Sequence, residues 1–337
     1  MRSFFRFIFV VLLLGVAGAA AGGWYVLNQF DAAGPAAYEG ETETIVSLPL
    51  GTGLNQAANI LQERGVVRSA LIFRAGVMYN RKATALKAGE YAIPSGASPA
   101  QIMDILIGGK SIVYKLTLAE GLTSAMILDL VRNHPSLTGD VTIAPSEGSL
   151  LPETYIFNRG MPRDDLVLRM QEDHKRTLNE LWASRAPNLP IASQQEAVIL
   201  ASIVEKETGV AEERPRVAAV FVNRLRKGIK LQSDPTIIYG LTKGVPLGRG
   251  IRKSELEKPT PYNTYVIVGL PPTPIANPGK ASLAAVLNPA QTEDLFFVAD
   301  GTGGHVFAAT LAQHEKNVQK WREIEKQRAS ATTPGTP

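Results

Sequence analysis

From Ala197 to Val204 the chain is apolar on every side of a helical wheel, interrupted only by Ser202. Ser193 followed by Glu196 is a capping-box pattern that predicts a helix start, and Gly209 predicts its stop. Apolar side chains on all faces belong to a helix at the centre of a domain, not on its surface. Around it the pattern alternates between helical and strand periods. A short strand at Thr44–Leu48 is followed by a helix from Leu54 to Gly65, a helix from Ser69 to Tyr79, a strand at Gly89–Ile93, a helix opened by Ser98-Pro99, and a strand at Ile112–Leu116. Beyond these come an amphipathic helix from Gly121 to Asn133, a loop at Glu147–Tyr155, a charged helix from Asp164 to about Ser184, and, after the central helix, an amphipathic one from Pro215 to Arg226. Gln232–Thr236 opens another helix, with Asp234 read as its cap and Pro235 at the first helical position. Lys258–Gly279 is irregular and dense in Pro, Tyr and Asn. Ser282–Leu287 reads as a short helix, Asp294–Ala309 as a hairpin about a glycine turn, and Thr310 to about Lys326 as a last helix. The fold class is α+β.

The first thirty residues follow another rule. Arg2 and Arg6 precede an uncharged run from Phe7 to Leu27 that, at about 1.5 Å per residue, matches a bilayer's hydrocarbon core. Trp24-Tyr25 suits the membrane interface, and Asp31, Glu39, Glu41 and Glu43 follow. This predicts a single-pass anchor at residues 1–28, with a cytoplasmic N-terminus and the remainder outside, then a linker at 29–43. The competing reading is a signal peptide cleaved near Ala17-Gly18-Ala19, although the uncharged run continues past that point.

Composition removes several possibilities. Net charge is +4 over 337 residues with the basic residues dispersed, so nucleic acid is not an expected partner. Without cysteine the chain has neither disulfides nor a thiolate metal site, and its four histidines are scattered, so no metal centre is expected. His305, in the glycine turn, is read either as a ligand contact or as a turn histidine bonded to backbone. There is no Gly-x-Ser-x-Gly elbow, no His-Glu-x-x-His, no phosphate loop and no dinucleotide fingerprint.

What remains is the charged end of the central helix. Ionised carboxylates are costly to bury, yet Glu205 and Glu207 both lie there. Two residues apart on a helix they point about 200° apart and cannot line one cavity. Glu205 shares its face with Val198, Ala201, Ser202 and Thr208, which leave room for a ligand, whereas Glu207 backs onto Leu200, Ile203 and Val204. Glu205 is therefore the expected cavity carboxylate, the alternative being an ion pair with Lys206, Arg214 or Arg216. A carboxyl in a partly apolar cavity is held protonated and can act as a general acid, and loops rich in Tyr, Asn, Gln and Asp suit sugar hydroxyls and sugar faces. Together they point to cleavage of a glycosidic bond.

The runs Ala201–Thr208, Leu231-Gln232-Ser233-Asp234-Pro235-Thr236, Tyr262-Asn263-Thr264-Tyr265, Gly269-Leu270-Pro271-Pro272 and Phe297-Val298-Ala299-Asp300-Gly301 closely resemble the MltG (YceG-like) endolytic murein transglycosylases, and the similarity extends from the apolar N-terminus to about residue 325. The resemblance implies a bacterial inner-membrane enzyme with a LysM-like module, here 44–117, and a mixed α/β catalytic domain, here 118–327, built around the buried helix; the tail at 328–337 is expected to be disordered from its Ala/Ser/Thr/Pro composition. It assigns the acid/base to the first glutamate of Glu-Lys-Glu, here Glu205, with no cofactor. The implied reaction cleaves the bond between N-acetylmuramic acid and N-acetylglucosamine without water, giving a 1,6-anhydromuramyl end. Gln232, Asp234, Tyr262, Asn263, Tyr265 and, more weakly, Glu153 are expected to position the glycan. Peptidoglycan strands are the expected partner, and peptidoglycan synthases are a partner implied by the family alone. Two other classes stay open: a non-catalytic peptidoglycan-binding scaffold, and a pyridoxal-type lyase, for which no Schiff-base lysine or phosphate cup can be placed.

Overall fold

The computed structural model describes residues 2–332 and forms two units. The first takes the chain up to Lys115 together with Ile156–Met161; the second takes Leu116–Tyr155 and everything from Pro162 onward. Every sheet among the described residues is two-stranded, so helices supply most of the packing.

In the first unit, α1 (Arg2–Asp31) is one helix long and apolar enough to cross a membrane. β1 (Glu43–Leu48) pairs antiparallel with β2 (Gly89–Pro94), Val46 standing opposite Tyr91. Against this pair pack α2 (Leu54–Glu63), α3 (Ala70–Tyr79) and α4 (Pro99–Gly108), burying Leu61, Phe73, Tyr91, Ile102 and Leu106. The Ser98–Gln101 capping box and Pro99 in the first turn start α4, as expected. β3 (Tyr114–Thr117) leads out of the unit. Ile156–Met161 returns to it, where the Arg159 guanidinium lies 3.1 Å from the buried Glu90 carboxylate, which also accepts from the Tyr114 hydroxyl at 2.5 Å. That return was not foreseen.

The start of the segment read as a linker, residues 29–43, packs on the first unit. Phe30 is buried in the core of the first unit, tilted against Phe73 at 6.5 Å between ring centres. Beyond it Gly34 N–H donates to Gly96 O, Gly96 N–H to Pro35 O, and Ala37 N–H to Ser95 Oγ. The helix end and the segment after it are pinned because an aromatic ring and several backbone groups find partners only by packing down.

The second unit is organised on α7 (Gln194–Glu207), whose positions Ala197 to Val204 are all buried. Ser193 Oγ accepts from Glu196 N–H, but the Glu196 carboxylate takes Ala192 N–H, so the expected capping box forms by half. Around α7 stand α5 (Ser124–Asn133), α6 (Arg163–Ala183), α8 (Arg214–Arg226), α9 (Asp234–Thr242), α10 (Lys253–Glu257) and α11 (Lys280–Leu287). The short strands β4 (Leu137–Thr138), β5 (Thr154–Phe157) and β6 (Met161–Pro162) were not expected; β5 begins at the end of the segment read as loop. β7 (Phe296–Ala299) and β8 (His305–Ala308) form the expected hairpin, and α12 (Leu311–Thr332) runs past the predicted end at Lys326 into the segment read as disordered. Residues 333–337 of that segment lie outside the described residues.

Loops seal the core by hydrogen bonding. Asn277 donates to Leu122 O and accepts from Leu150 N–H, and the Glu147 carboxylate accepts from Ser124 N–H and the Tyr239 hydroxyl. Gly148, at φ +78°, sits where a Cβ would lie 2.6 Å from Pro274, so this crossing admits only glycine.

Candidate active site

The Glu205-Lys206-Glu207 triplet ends α7, and its side chains go to different places. The Glu205 side chain is only 6% exposed; its Oε2 accepts from Gly279 N–H at 2.9 Å, where α11 begins, and its Oε1 lies 3.9 Å from Arg214. A carboxylate at a helix N-terminus is favoured by the unpaired N–H groups there. Glu120 reaches the same spot, 3.8 Å from Arg214, and burial followed by the charge of Glu205 pushes its carboxyl above the ordinary value, with Arg214 opposing. Lys206 donates to Gly121 O at 3.3 Å. The Glu205 carboxylate is thus engaged by protein groups, and the ion pair with Arg214 that stood as the alternative is present.

Glu207 faces the opening. It lines a cavity of about 450 Å³ with Phe221, Arg224, Leu231, Gln232, Asp234, Tyr265, Phe296, Phe297, Leu311 and His314. The expectation that Glu205 is the cavity carboxylate is therefore corrected: the bulky neighbours of Glu207 on α7 lie beneath it, while residues 231–234, Tyr265 and the β7 hairpin stand off and leave room above. Desolvation pushes the Glu207 carboxyl up to about 7. The nearby charge of Asp234 adds to this; the 2.5 Å hydrogen bond from Ser233 Oγ and the proximity of His305 and the Arg224 guanidinium oppose it.

The wall opposite Glu207 is built from one buried hydroxyl. Thr264 Oγ1 accepts from Ser233 N–H at 2.9 Å and meets Thr236 Oγ1 at 2.9 Å, while Thr264 O accepts from Gln232 N–H. These bonds hold Gln232 in the left-handed region at φ +52°, unusual for a residue with a side chain, and turn Gln232 and Asp234 into the cavity. Asp234 does not cap α9. Ser233 occupies that position with its hydroxyl spent on Glu207, and Asp234 Oδ1 instead accepts from the Tyr265 hydroxyl at 2.7 Å. Burial first, then this bond and the charge of Asp234, raise the Tyr265 phenol and keep its proton in place.

Of the six residues expected to position a glycan, Gln232, Asp234 and Tyr265 line the cavity, and Tyr262, Asn263 and Glu153 do not. Tyr262 packs on Tyr239 at 5.1 Å and bonds Thr273. Asn263 is buried and donates to Glu255 O, Leu256 O and Lys258 O, knotting the irregular segment together. Glu153 is exposed away from the cavity, and its carbonyl accepts from Leu118 N–H. A Tyr-Asn-Thr-Tyr run looks polar throughout, and only its partners show that Asn263 and Thr264 face inward.

Sequence reasoning missed Arg224, Phe296, Phe297 and His314. Arg224 is buried on α8 and donates to Leu231 O at 2.7 Å and Leu295 O at 2.6 Å, tying the Gln232 loop to the hairpin. His314 stacks on Phe296 at 5.0 Å, and its buried Nδ1 has no hydrogen-bond partner among the described residues. His305 does not reach the cavity; it holds Glu213 through Nδ1 at 2.8 Å and stands edge-on to Phe297 at 5.2 Å. Arg224 is one of four arginines on α8, so nothing in its residue type set it apart in the sequence.

The model of the YceG-like family matches residues 46–320. The chain belongs to the YceG-like family. It is 29% identical to a Bacillus subtilis protein named endolytic murein transglycosylase, over 85% of this chain and 87% of the relative. A Streptococcus pneumoniae protein of the same name is 27% identical over 94% of this chain and 65% of its own length. Among solved structures, a YceG-like protein from Listeria monocytogenes matches 82% of this chain and 98% of its own with 28% identity and a TM-score of 0.51. Family membership thus spans both units.

Proposed function

We propose that this chain is a membrane-anchored endolytic peptidoglycan lytic transglycosylase in which Glu207, not Glu205, is the acid and base. The observation that carries the reading is the Glu207 carboxyl, held protonated up to about pH 7 in the wall of a cavity lined by both polar and aromatic groups. The shared name of the Bacillus and Streptococcus relatives supports the substrate class. Glu207 protonates the oxygen that leaves muramyl C1 as the bond to N-acetylglucosamine breaks. Its carboxylate then takes the proton from the muramyl C6 hydroxyl as that oxygen closes on C1. The proton count balances, the substrate supplies its own nucleophile, and one carboxyl suffices where a hydrolase uses two. Asp234, fixed by Tyr265, presents negative charge toward the oxocarbenium-like state, and Phe296 and Phe297 offer faces for a sugar ring.

In the same reading α1 is a single-pass anchor with its N-terminus in the cytoplasm and both units outside. The first unit contributes glycan contacts as a LysM-like module, for which a groove of about 490 Å³ lined by Ser95, Gln101 and Asp104 is available. Synthases that feed nascent strands are the proposed partners.

The test is mass analysis of muropeptides released from purified, uncrosslinked glycan strands by the full chain in nanodiscs. Anhydromuramyl products from the wild type and from Glu205→Gln, but not from Glu207→Gln, are expected. Products from Glu207→Gln but not from folded Glu205→Gln would overturn the assignment of the acid. Reducing ends would make water the nucleophile, and no product from the wild type would leave a binding scaffold.

A further inference from the structure

The foot of the first unit carries apolar and basic side chains that the proposed reaction does not use. Met78 and Tyr79 end α3 with 64% and 70% of their surface exposed, and the exposed Arg81 and Lys82 follow in the turn. The position of this cluster along α1 can be read from contacts. At the start of α3, Arg68 Nη1 donates to Ala33 O at 2.8 Å. Two turns on, Phe30 lies so close to Gly76 that an added Cβ would stand 2.1 Å from its ring. Advancing along α3 therefore means moving back along α1 toward its apolar run, so the two helices are antiparallel. Tyr79 lies three residues beyond Gly76, about 4.5 Å, and Trp24 lies six residues before Phe30, about 9 Å, which leaves roughly one helical turn between their levels. Coverage of α1 ends in the same place: Val26 and Leu27 are half-buried, while Trp24 and Tyr25 are exposed.

We propose that Met78, Tyr79, Arg81 and Lys82 form a contact surface for anionic phospholipid headgroups of the bilayer that α1 enters. The proposal rests on the reading of α1 as a membrane anchor. The occupant follows from continuity: a helix end that descends beside a membrane span meets the interface at the level where that span presents Trp24 and Tyr25, the residues suited to it. The chemistry agrees. A tyrosine and a methionine fill the headgroup boundary, and two adjacent cations meet its negative charge. The acidic residues of this region, Asp31, Glu39, Glu41 and Glu43, come after Phe30 in the chain, and Asp31 continues α1 away from the bilayer. Docked this way, the first unit is held against the membrane by a second contact besides the span itself.

The chain has no cysteine, so single-cysteine labels report position directly. Met78→Cys, Leu71→Cys and Trp24→Cys, each in the full chain and each carrying a small fluorophore, would be placed in nanodiscs whose lipids bear a headgroup spin label. Leu71 is exposed on the same helix about 10 Å nearer its start, which makes it the depth control. Quenching at Met78→Cys at least twofold stronger than at Leu71→Cys, stronger in phosphatidylglycerol than in phosphatidylcholine, and weakened by Arg81→Gln/Lys82→Gln, is the expected result. Met78→Cys no more quenched than Leu71→Cys, with Trp24→Cys quenched, overturns the surface and leaves the anchor intact. No quenching at Trp24→Cys overturns the anchor reading and the proposal with it. Equal quenching in both lipids, or no effect of the double variant, overturns the headgroup assignment.

Discussion

Glu205 and Glu207 leave the same helix end two residues apart, and the regions they enter differ in almost every respect. On the Glu205 side Gly279, at the start of α11, supplies a backbone N–H and Arg214 supplies a cation. On the Glu207 side the nearest partner is a neutral hydroxyl, Arg224 spends its hydrogen bonds on carbonyl groups, and about 450 Å³ stands open. The first side offers a carboxylate a donor and a cation; on the second, desolvation and the charge of Asp234 raise the Glu207 carboxyl, which suits it to act as an acid. Burial alone does not separate structural from catalytic glutamates. What the neighbours have already committed their hydrogen bonds to does.

The contrast breaks most readily at Glu207. Glu207→Gln keeps the shape and removes the transferable proton, and a loss of at least about 10²-fold in anhydromuropeptide release is expected with the fold intact by circular dichroism. Glu205→Gln is the mirror case. It removes the charge held by Gly279 N–H and Arg214, so unfolding in urea should show about 1.5–3 kcal/mol less stability, while activity per folded molecule stays within about tenfold of wild type. A large activity loss at unchanged stability would reverse the two roles. Tyr265→Phe frees Asp234 of its one phenolic donor and should lower turnover by roughly tenfold, the worth of one hydrogen bond to a charged group, with substrate affinity changed less.

Protonation sharpens the same comparison. If Glu207 delivers a proton, the rate falls as pH rises through about 7, and Asp234→Asn moves that limb to lower pH, because removing a negative neighbour eases ionisation of Glu207. A limb that stays in place in Asp234→Asn would detach Asp234 from the acid. Stability carries a smaller signature. The folded value lies above the ordinary 4.5, so the folded chain holds this proton more tightly. The stability it contributes is complete below about 4.5 and is lost as pH rises through about 7. Glu207→Gln should flatten that part of a thermal-unfolding profile.

Much of the scaffold was legible because it rests on local rules. The all-round apolar character of Ala197–Val204 marked the central helix, Ser98-Pro99 its smaller counterpart in the first unit, and the Phe-Val-Ala-Asp-Gly run one arm of a hairpin. Helical phase also separated the two glutamates onto different sides. It could not say which side is open, because that is decided by Gly279, Ser233 and Tyr265, which reach the end of α7 from 26 or more residues further on, together with the nearer Arg214. The same limit explains the Tyr262–Tyr265 run. Tyr265 turns to Asp234 and Asn263 to the carbonyls of Glu255, Leu256 and Lys258, although the types of residue suggest one common use. His314 and Leu311 were out of reach for a related reason, since a helix that is mostly exposed announces nothing about the single turn that closes a cavity.

Phe30 belongs at once to a helix suited to lipid and to the core of a water-facing unit. Where the chain is cut therefore decides whether a detached form survives. Cleavage near Ala19 would release a protein that still carries its own keystone. Trimming to Ala32 would empty an aromatic site, at a cost of about 3–5 kcal/mol. A soluble fragment should begin at or before Trp24 and accept the exposed rings that come with it.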